Sequence, residues 1–237
     1  MRIGDPGVAK GTKDDPAPPT ARVRVRRLPD RARYQREVVE GILDEALICH
    51  VGFVVEGQPY VIPTIHARDG DRLYFHGSTA SRMLRSLKGG IPACVTASIV
   101  DGVVLARSAF HHSMNYRSVV VLGRAVPVED EAEKVRALRA LSEHVVPGRW
   151  DEVRGPSPSE LRQTMVLGMG LAEASAKIRS GPAKEEEEDL SLPVWAGVIP
   201  IRLLAGKPEG DARVLQGVGV PRYAAFYRRP SASWGER

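Results

Sequence analysis

Aromatic residues and cysteines are both scarce in this 237-residue sequence, and each shortage narrows the possible functions. Phe, Trp and Tyr together make up 5% of the chain, too few for the rows of stacking side chains that bind single-stranded nucleic acid. The two cysteines, Cys49 and Cys94, lie inside apolar runs and lack the C-x-x-C spacing of zinc sites. We therefore interpret them as buried, reduced thiols, which fits a reducing cytoplasm.

Long apolar runs are missing as well. No uninterrupted run reaches the roughly 20 residues that a membrane-spanning helix needs, and the first residues are polar and proline-rich, unlike a signal peptide. We therefore expect a cytoplasmic protein that does not associate with membranes. The chain also lacks a Walker loop, a G-x-G-x-x-G fingerprint and a G-x-S-x-G elbow. Neither Cys49-His50 nor His111-His112 has the spacing of metal ligands, so no metal site is predicted.

The chain does contain a normal apolar fraction, 43%, and a modest excess of positive charge, +5 with a pI near 9.4. This balance permits binding of an anionic small molecule or a weak contact with a polyanion, and requires neither. Many of the cations lie in Arg22–Arg33, where they alternate with apolar residues. This segment fits a surface strand and turn, a polyanion-binding arm or an extension lying over a partner subunit. The regular alternation favours the third interpretation, an extension that packs on protein. Because the chain has no recognisable nucleic-acid-binding module, we expect no nucleic-acid partner.

Composition divides the chain into three parts: a disordered tail at residues 1–21, a folded domain at residues 22–205 and an extension at residues 206–237. Apolar residues at helical spacing predict two clear helices, Tyr34–Ala46 and Glu131–Val145. A third helix is expected to start at Ser157 or Ser159. Closely spaced hairpins around a central helix favour an antiparallel barrel over a doubly wound sheet. The predicted strands are Leu47–Val55, Tyr60–His66, Leu73–His76, Ala93–Val100, Val103–Ala106, Tyr116–Ala125, Thr164–Gly170, Ala174–Arg179 and Leu192–Ile201, with Arg213–Val220 extended.

The stretch Leu73–Gly90, LYFHGSTASRMLRSLKGG, is the most informative one. It reads as a strand, a turn of small residues and a helix that Ser81 caps and Gly89-Gly90 end. Met83, Leu84 and Leu87 share one face of that helix, and basic residues line the other. Free amides beside Arg82 are typical of an anion site. The alternative is an ordinary strand-turn-helix with solvated cations. Lys177 and Arg179 alternate on a later strand and allow the same two interpretations.

Four stretches together resemble the pyridoxamine 5′-phosphate oxidase-like, FMN-binding split-barrel family, in its flavin-nucleotide-binding, nitroimidazole-reductase-like branch. They are GQPYVIPTIH (Gly57–His66), FHGSTASRM (Phe75–Met83), YRSVVVLGR (Tyr116–Arg124) and WAGVIP (Trp195–Pro200). The resemblance implies a six-stranded antiparallel Greek-key barrel with flanking helices. It also implies a homodimer with FMN at the subunit interface.

The resemblance further implies a set of FMN-binding residues. Ser81 and Arg82 match a Ser-Arg pair that grips the FMN phosphate, and Met83 stands where the oxidase has a Lys. Trp195 matches a tryptophan that reaches the site from the partner subunit. Ser118 matches a glutamine that contacts the flavin. The matching positions before the Ser-Arg pair are His76 and Gly77, and those along the flavin ring are Ile62, Pro63 and Thr64.

The departures from the family pattern argue against pyridoxamine-phosphate oxidase activity itself. Two family cations are replaced by Pro59 and Thr64, and no Arg-x-His follows Trp195. We therefore expect an FMN-binding oxidoreductase acting on a small unidentified substrate, with His112 as candidate catalytic donor because histidine titrates near neutrality. The alternative to that role is a polar loop histidine. The alternative function is a non-catalytic carrier of flavin, haem or F420 on the same barrel.

Overall fold

The fold consists of two antiparallel sheets that pack face to face, with helices at their edges. The computed structural model describes residues 16–229, so the disorder predicted for residues 1–15 lies outside the described residues. The larger sheet has seven strands, in the order β1-β10-β7-β6-β2-β3, with β11 paired to the second half of β6. Its strands are β1 (Ala32–Arg33), β2 (Ile48–Val55), β3 (Gln58–Ile65), β6 (Pro92–Leu105), β7 (Ser113–Arg124), β10 (Ala174–Arg179) and β11 (Gly197–Pro200).

The smaller sheet has four strands, in the order β4-β5-β9-β8. These are β4 (Ala67–Asp69), β5 (Arg72–Ser78), β8 (Val126–Pro127) and β9 (Thr164–Gly170). The helices are α1 (Arg36–Glu45), α2 (Arg82–Lys88), α3 (Glu131–Val145), α4 (Pro158–Gln163) and α5 (Arg222–Ala225). The predicted fold class, mainly antiparallel β with flanking helices, is confirmed. None of the helices within residues 16–229 is long and apolar enough to cross a membrane.

The main core lies between the sheets and is closed by α1 and α2. Alternate residues of the strands point into it, such as Val51 of β2, Phe75 of β5 and Val121 of β7. Helix α1 adds Ile42 and Leu43, which are fully buried. A second, smaller cluster lies on the other face of the four-stranded sheet, where α3 packs on Tyr74 and Val166. The two faces of β5 therefore look towards different parts of the protein.

The basic segment at residues 22–33 packs against its own chain. Strand β1 pairs with β10, and Val23 is buried. Arg22 forms an ion pair with Glu173, and the amide of Val25 donates to the hydroxyl of Tyr34 at 2.9 Å.

Two strand predictions were wrong. The hairpin expected at Asp101-Gly102 does not form, because β6 continues through it with a bulge between Val100 and Gly102. Gly102 serves a close approach instead of a turn, since a Cβ there would lie 3.0 Å from the carbonyl oxygen of Ile199 on β11. The extended segment expected at residues 213–220 consists of turns and irregular chain.

Candidate functional site

Strand β3 forms one wall of the candidate site, and it is an edge strand. It pairs on one side with β2, from Ile48↔Ile65 to Val55↔Gln58, and has no strand on the other side within the described chain. Alternate residues of an edge strand point their backbone N–H and C=O groups outward, where a ligand can bond to them. Three of the predicted ring-contacting residues, Ile62, Pro63 and Thr64, lie on this strand.

The second wall is the turn from β5 into α2. Ser81 caps α2 as predicted, its side chain accepting from the amide of Leu84 at 3.5 Å. Ser78 holds the turn, because its carbonyl and its hydroxyl accept from the amides of Ser81 and Ala80. Gly77 is small for a packing reason: a Cβ there would lie 3.2 Å from a methyl carbon of Leu84. Glycine thus lets α2 lie close against β5.

Arg82 joins the two walls. Its guanidinium carbon lies 5.5 Å from the centre of the Tyr60 ring on β3, at cation–π distance. The side chain is exposed, and no carboxylate within residues 16–229 forms an ion pair with it. Helix α2 has only seven residues, so the guanidinium, rather than the helix dipole, is its main attraction for an anion. Tyr60 was missed at the sequence level, although its alternation with Ile62 and Thr64 placed it on the same strand face.

His76 points away from this cleft. Along β5, Phe75 and Gly77 face the core and α2, whereas Tyr74 packs against α3. His76 lies on the Tyr74 face, where it lines a separate, shallow cleft of about 410 Å³ with Leu138 and Trp150. Its Nδ1 atom is buried without a hydrogen-bond partner in the described chain, and burial lowers the pKa of its imidazole. Only the backbone of His76 is available to a ligand held at α2.

The chain does not bring the remaining predicted residues into this cleft. Ser118 lies on β7, three strands from β3 or about 14 Å, and its hydroxyl donates to the carbonyl of Lys177. Trp195 precedes β11 and is 66% exposed. Its ring lies over Gly197, where a Cβ would come within 2.8 Å of it. The ring of His112 lies in the loop before β7, with Nε2 3.1 Å from the carbonyl oxygen of Ala106. Met83 is buried in the core, so only its backbone remains for a ligand.

A second polar cluster lies where α1 and α3 end. His66 and His144 pack with ring centres 4.8 Å apart, and each Nε2 bonds a carbonyl at the end of α1, that of Leu43 at 2.9 Å and that of Ala46 at 2.8 Å. Burial is the main cause that lowers the pKa of both rings, to about 4 for His144. Arg229 completes the cluster by donating to carbonyls at the C-terminal ends of both helices. Within residues 16–229, no three His, Cys, Asp or Glu residues are arranged to hold a metal ion.

The fold and the cleft define a class of protein. The sequence model described as pyridoxamine 5′-phosphate oxidase matches residues 35–178, so the chain belongs to this family. The family expected from the four sequence stretches is thereby confirmed. No curated protein matches the chain.

Solved structures narrow the comparison. The flavocytochrome Anf3 from Azotobacter vinelandii is 42% identical, with a TM-score of 0.85, and the match covers 91% of this chain and 100% of that one. The FAD and haem binding protein from Mycobacterium smegmatis is 34% identical, with a TM-score of 0.78 over 81% of this chain and 95% of that one. A protein from Bacteroides thetaiotaomicron, whose description names 5-nitroimidazole antibiotic resistance, is 25% identical, with a TM-score of 0.52. That match covers 62% of this chain and 86% of the other.

Proposed function

We propose that this protein binds a flavin nucleotide in the cleft between β3 and α2 and acts as an FMN-dependent oxidoreductase on a small molecule. The observation that carries the proposal is the guanidinium of Arg82, which has no ion-pair partner within residues 16–229 and lies over Tyr60 beside the open edge of β3. Family membership supports it, and so do two relatives whose descriptions name a flavocytochrome and an FAD-binding protein.

The residues present fit a flavin phosphate. Arg82 supplies a planar fork of N–H donors that matches phosphate oxygens, and Ser81 lies beside it. The amides of Arg82 and Met83, in the first turn of α2, have no intrahelical acceptor and complete the donor set. The backbone groups that point outward at alternate residues of the stretch Ile62–Thr64 match the polar edge of an isoalloxazine ring.

The flavin, when bound, supplies the two-electron chemistry. The chain's own part is to anchor, orient and cover the cofactor. Arg82 and Ser81 fix the phosphate end, and β3 fixes the plane and direction of the ring. Substitution of the family's cations by Pro59 and Thr64 leaves the ring's surroundings less positive, which disfavours pyridoxamine phosphate as the substrate. We assign no proton transfer to His112, because its ring bonds a backbone carbonyl in the loop before β7.

We further propose that the active form is a homodimer. The outer surface of β2 and β3 exposes a row of apolar side chains that one chain leaves uncovered: Ile48, Val54, Val61 and Ile65. An exposed apolar patch beside an open sheet edge is typical of a subunit interface. A second copy would also explain why Ser118 and Trp195 lie outside the cleft of their own chain. Light scattering coupled to gel filtration tests this: a dimer is expected, and a monomer in the flavin-loaded protein would contradict it.

Haem is the second candidate, since the two relatives with the widest coverage have descriptions that name a cytochrome or haem. Buried neutral histidines are typical haem ligands, and Nδ1 of His66 is buried without a partner in the described chain. However, His66 and His144 do not fit haem as they stand. Their rings lie 4.8 Å apart with both Nε2 atoms bonded to carbonyls, which leaves no slot for a porphyrin. We therefore derive no step through haem.

One preparation tests both candidates. The absorption spectrum of the purified protein separates flavin bands, near about 370 and 450 nm, from a haem Soret band, because the cofactor determines the spectrum. The mass of the extracted cofactor then distinguishes FMN, FAD and F420. Oxidation of NADH or NADPH with an added acceptor separates an enzyme from a carrier. A protein that neither co-purifies with a flavin nor takes one up would refute the proposal.

A further inference from the structure

Arg179, at the end of β10, is a buried cation without an anionic partner among residues 16–229. Arg179 is 7% exposed. Each hydrogen bond that its guanidinium donates within the described chain goes to a neutral group. Nη1 donates to the side-chain oxygen of Asn115 and, at 3.3 Å, to the carbonyl of Gly181. Nη2 donates to the carbonyl of Pro182 at 3.1 Å. A charge buried without a counter-ion is costly, so its retention requires an explanation.

A second cation lies beside it. Arg31 ends the short 3₁₀ turn Pro29–Arg31, and the next residue, Ala32, pairs with Lys177 on β10. Arg31 is half-buried, and the described residues include no ion-pair partner for it. Burial and then the charge of Arg31 lower the pKa of the Arg179 guanidinium. The register of β1 on β10 thus places Arg31 beside the last residues of β10, near Arg179.

The nearby carboxylates do not neutralise this pair. Asp30 is exposed and forms no ion pair with either arginine in the described part of the chain. Glu185, in the loop that follows β10, binds Arg107 through its second carboxylate oxygen at 2.6 Å. Its first oxygen accepts from the amide of the same residue, also at 2.6 Å. Both oxygens of Glu185 are therefore occupied elsewhere.

We propose that Arg179 and Arg31 bind the carboxylate or phosphate group of an anionic small molecule. The Nε–H of Arg179 and one hydrogen of its Nη2 have no acceptor in the described part of the chain, and the Nε–Nη2 edge of a guanidinium matches two oxygens of an oxyanion. Asn115 and the carbonyls of Gly181 and Pro182 fix the plane of the fork. Arg31, which is more accessible, supplies the second charge.

This site is distinct from the Arg82 cleft of the same chain. Strand β10 lies four strands from β3, or about 19 Å across the sheet. Arg179 pairs with Tyr116 on β7, two residues or about 7 Å along the strand from Ser118. Within one chain, the proposal therefore does not depend on the Arg82 assignment.

The test uses the full chain and two probes, inorganic phosphate and malonate, titrated at constant ionic strength with sodium chloride. The thermal midpoint of wild-type protein is expected to rise and saturate with each probe. Arg31→Gln should weaken the affinity for both probes about tenfold, as loss of one charge-assisted contact implies. Arg179→Gln should abolish the response to malonate while costing little stability in probe-free buffer, since it removes an uncompensated charge. Lys88→Ala, which removes an exposed cation outside both proposed sites, is the matched control and should leave the response to both probes unchanged.

Three results would overturn the proposal. One is a wild-type midpoint that neither probe raises beyond chloride. Another is an identical response in wild type, Arg31→Gln and Arg179→Gln. The third concerns the source of the oxyanion: if the probes have no effect but Arg179→Gln dissociates the protein in sedimentation velocity, the partner of Arg179 is a carboxylate on a second copy of the chain. Should Arg179→Gln fail to fold, the Arg31→Gln titration decides alone.

Discussion

Arg82→Ala is the substitution that tests the flavin site most directly. The side chain is exposed, and its only contact recorded within residues 16–229 is the Tyr60 ring at 5.5 Å. Its loss should therefore leave the fold intact, since alanine also favours the helix. A hydrogen bond from a charged group contributes about 1.5–3 kcal/mol, and exposure places this one towards the lower value. We expect flavin affinity to fall about tenfold or more.

The assay is a fluorescence titration of cofactor-free protein with FMN and, separately, with FAD. Lys88→Ala is the matched control, because Lys88 is an exposed cation of the same helix that lies six residues, or about 9 Å, further along. It should retain wild-type affinity. Tyr60→Leu removes the ring beneath the guanidinium and keeps its charge, so we expect a smaller loss than with Arg82→Ala.

Unchanged FMN and FAD affinity in Arg82→Ala would remove Arg82 from the site. Equal losses in Arg82→Ala and Lys88→Ala would indicate a general attraction of basic surface for the phosphate, which high salt would abolish in both. A fall in thermal midpoint that accounts for the lost affinity would assign Arg82 a structural role.

Three further predictions concern stability. The pKa of His144 is lowered from 6.5 to about 4, so the unfolded chain binds a proton that the folded chain does not between these values. Stability should fall by about 2 kcal/mol as the pH drops from roughly 6.5 to 4, and His144→Asn should show a shallower fall in urea unfolding than His50→Gln. Arg229→Ala should cost about 1–3 kcal/mol at neutral pH, because it removes the hydrogen bonds to the carbonyls of Asp44 and His144 at the helix ends, and an unchanged urea midpoint would contradict this. Gly77→Val should cost about 1–3 kcal/mol by displacing α2, with flavin retention falling alongside the thermal midpoint.

Strong periodicity explains which elements the sequence predicted well. Helix α3 spans Glu131–Val145 as expected, because Asp130 caps it and its apolar residues recur at helical spacing. Strands β9 and β10 also have the predicted bounds. In each case the local pattern and the tertiary packing favour the same structure.

Predictions from the local sequence failed where residues far away in the sequence determine the structure. Asp-Gly at residues 101–102 is a strong hairpin signal, but β11 arrives from nearly a hundred residues away and needs the glycine for close approach. The orientation of His76 could not be read from its neighbours, because α3 covers one face of β5 and α2 packs near the other. The hydrogen bonds from Arg229 to the ends of α1 and α3 likewise have no local sequence signal, since the accepting residues lie more than eighty positions away in the sequence.

The position of Trp195 indicates how the separate parts of the candidate site would come together. An indole that is 66% exposed gains little from burial in its own chain, yet Gly197 leaves it a fitted place beside β11. Such an exposed ring can pack against the surface of another molecule. Because Ser118 is three strands away from Thr64, the two residues could surround one flavin ring only in the proposed dimer, where they would come from different chains. Trp195→Ala should then weaken both dimerisation and flavin retention, whereas loss of flavin from a dimer of unchanged stability would confine the tryptophan to the cofactor alone.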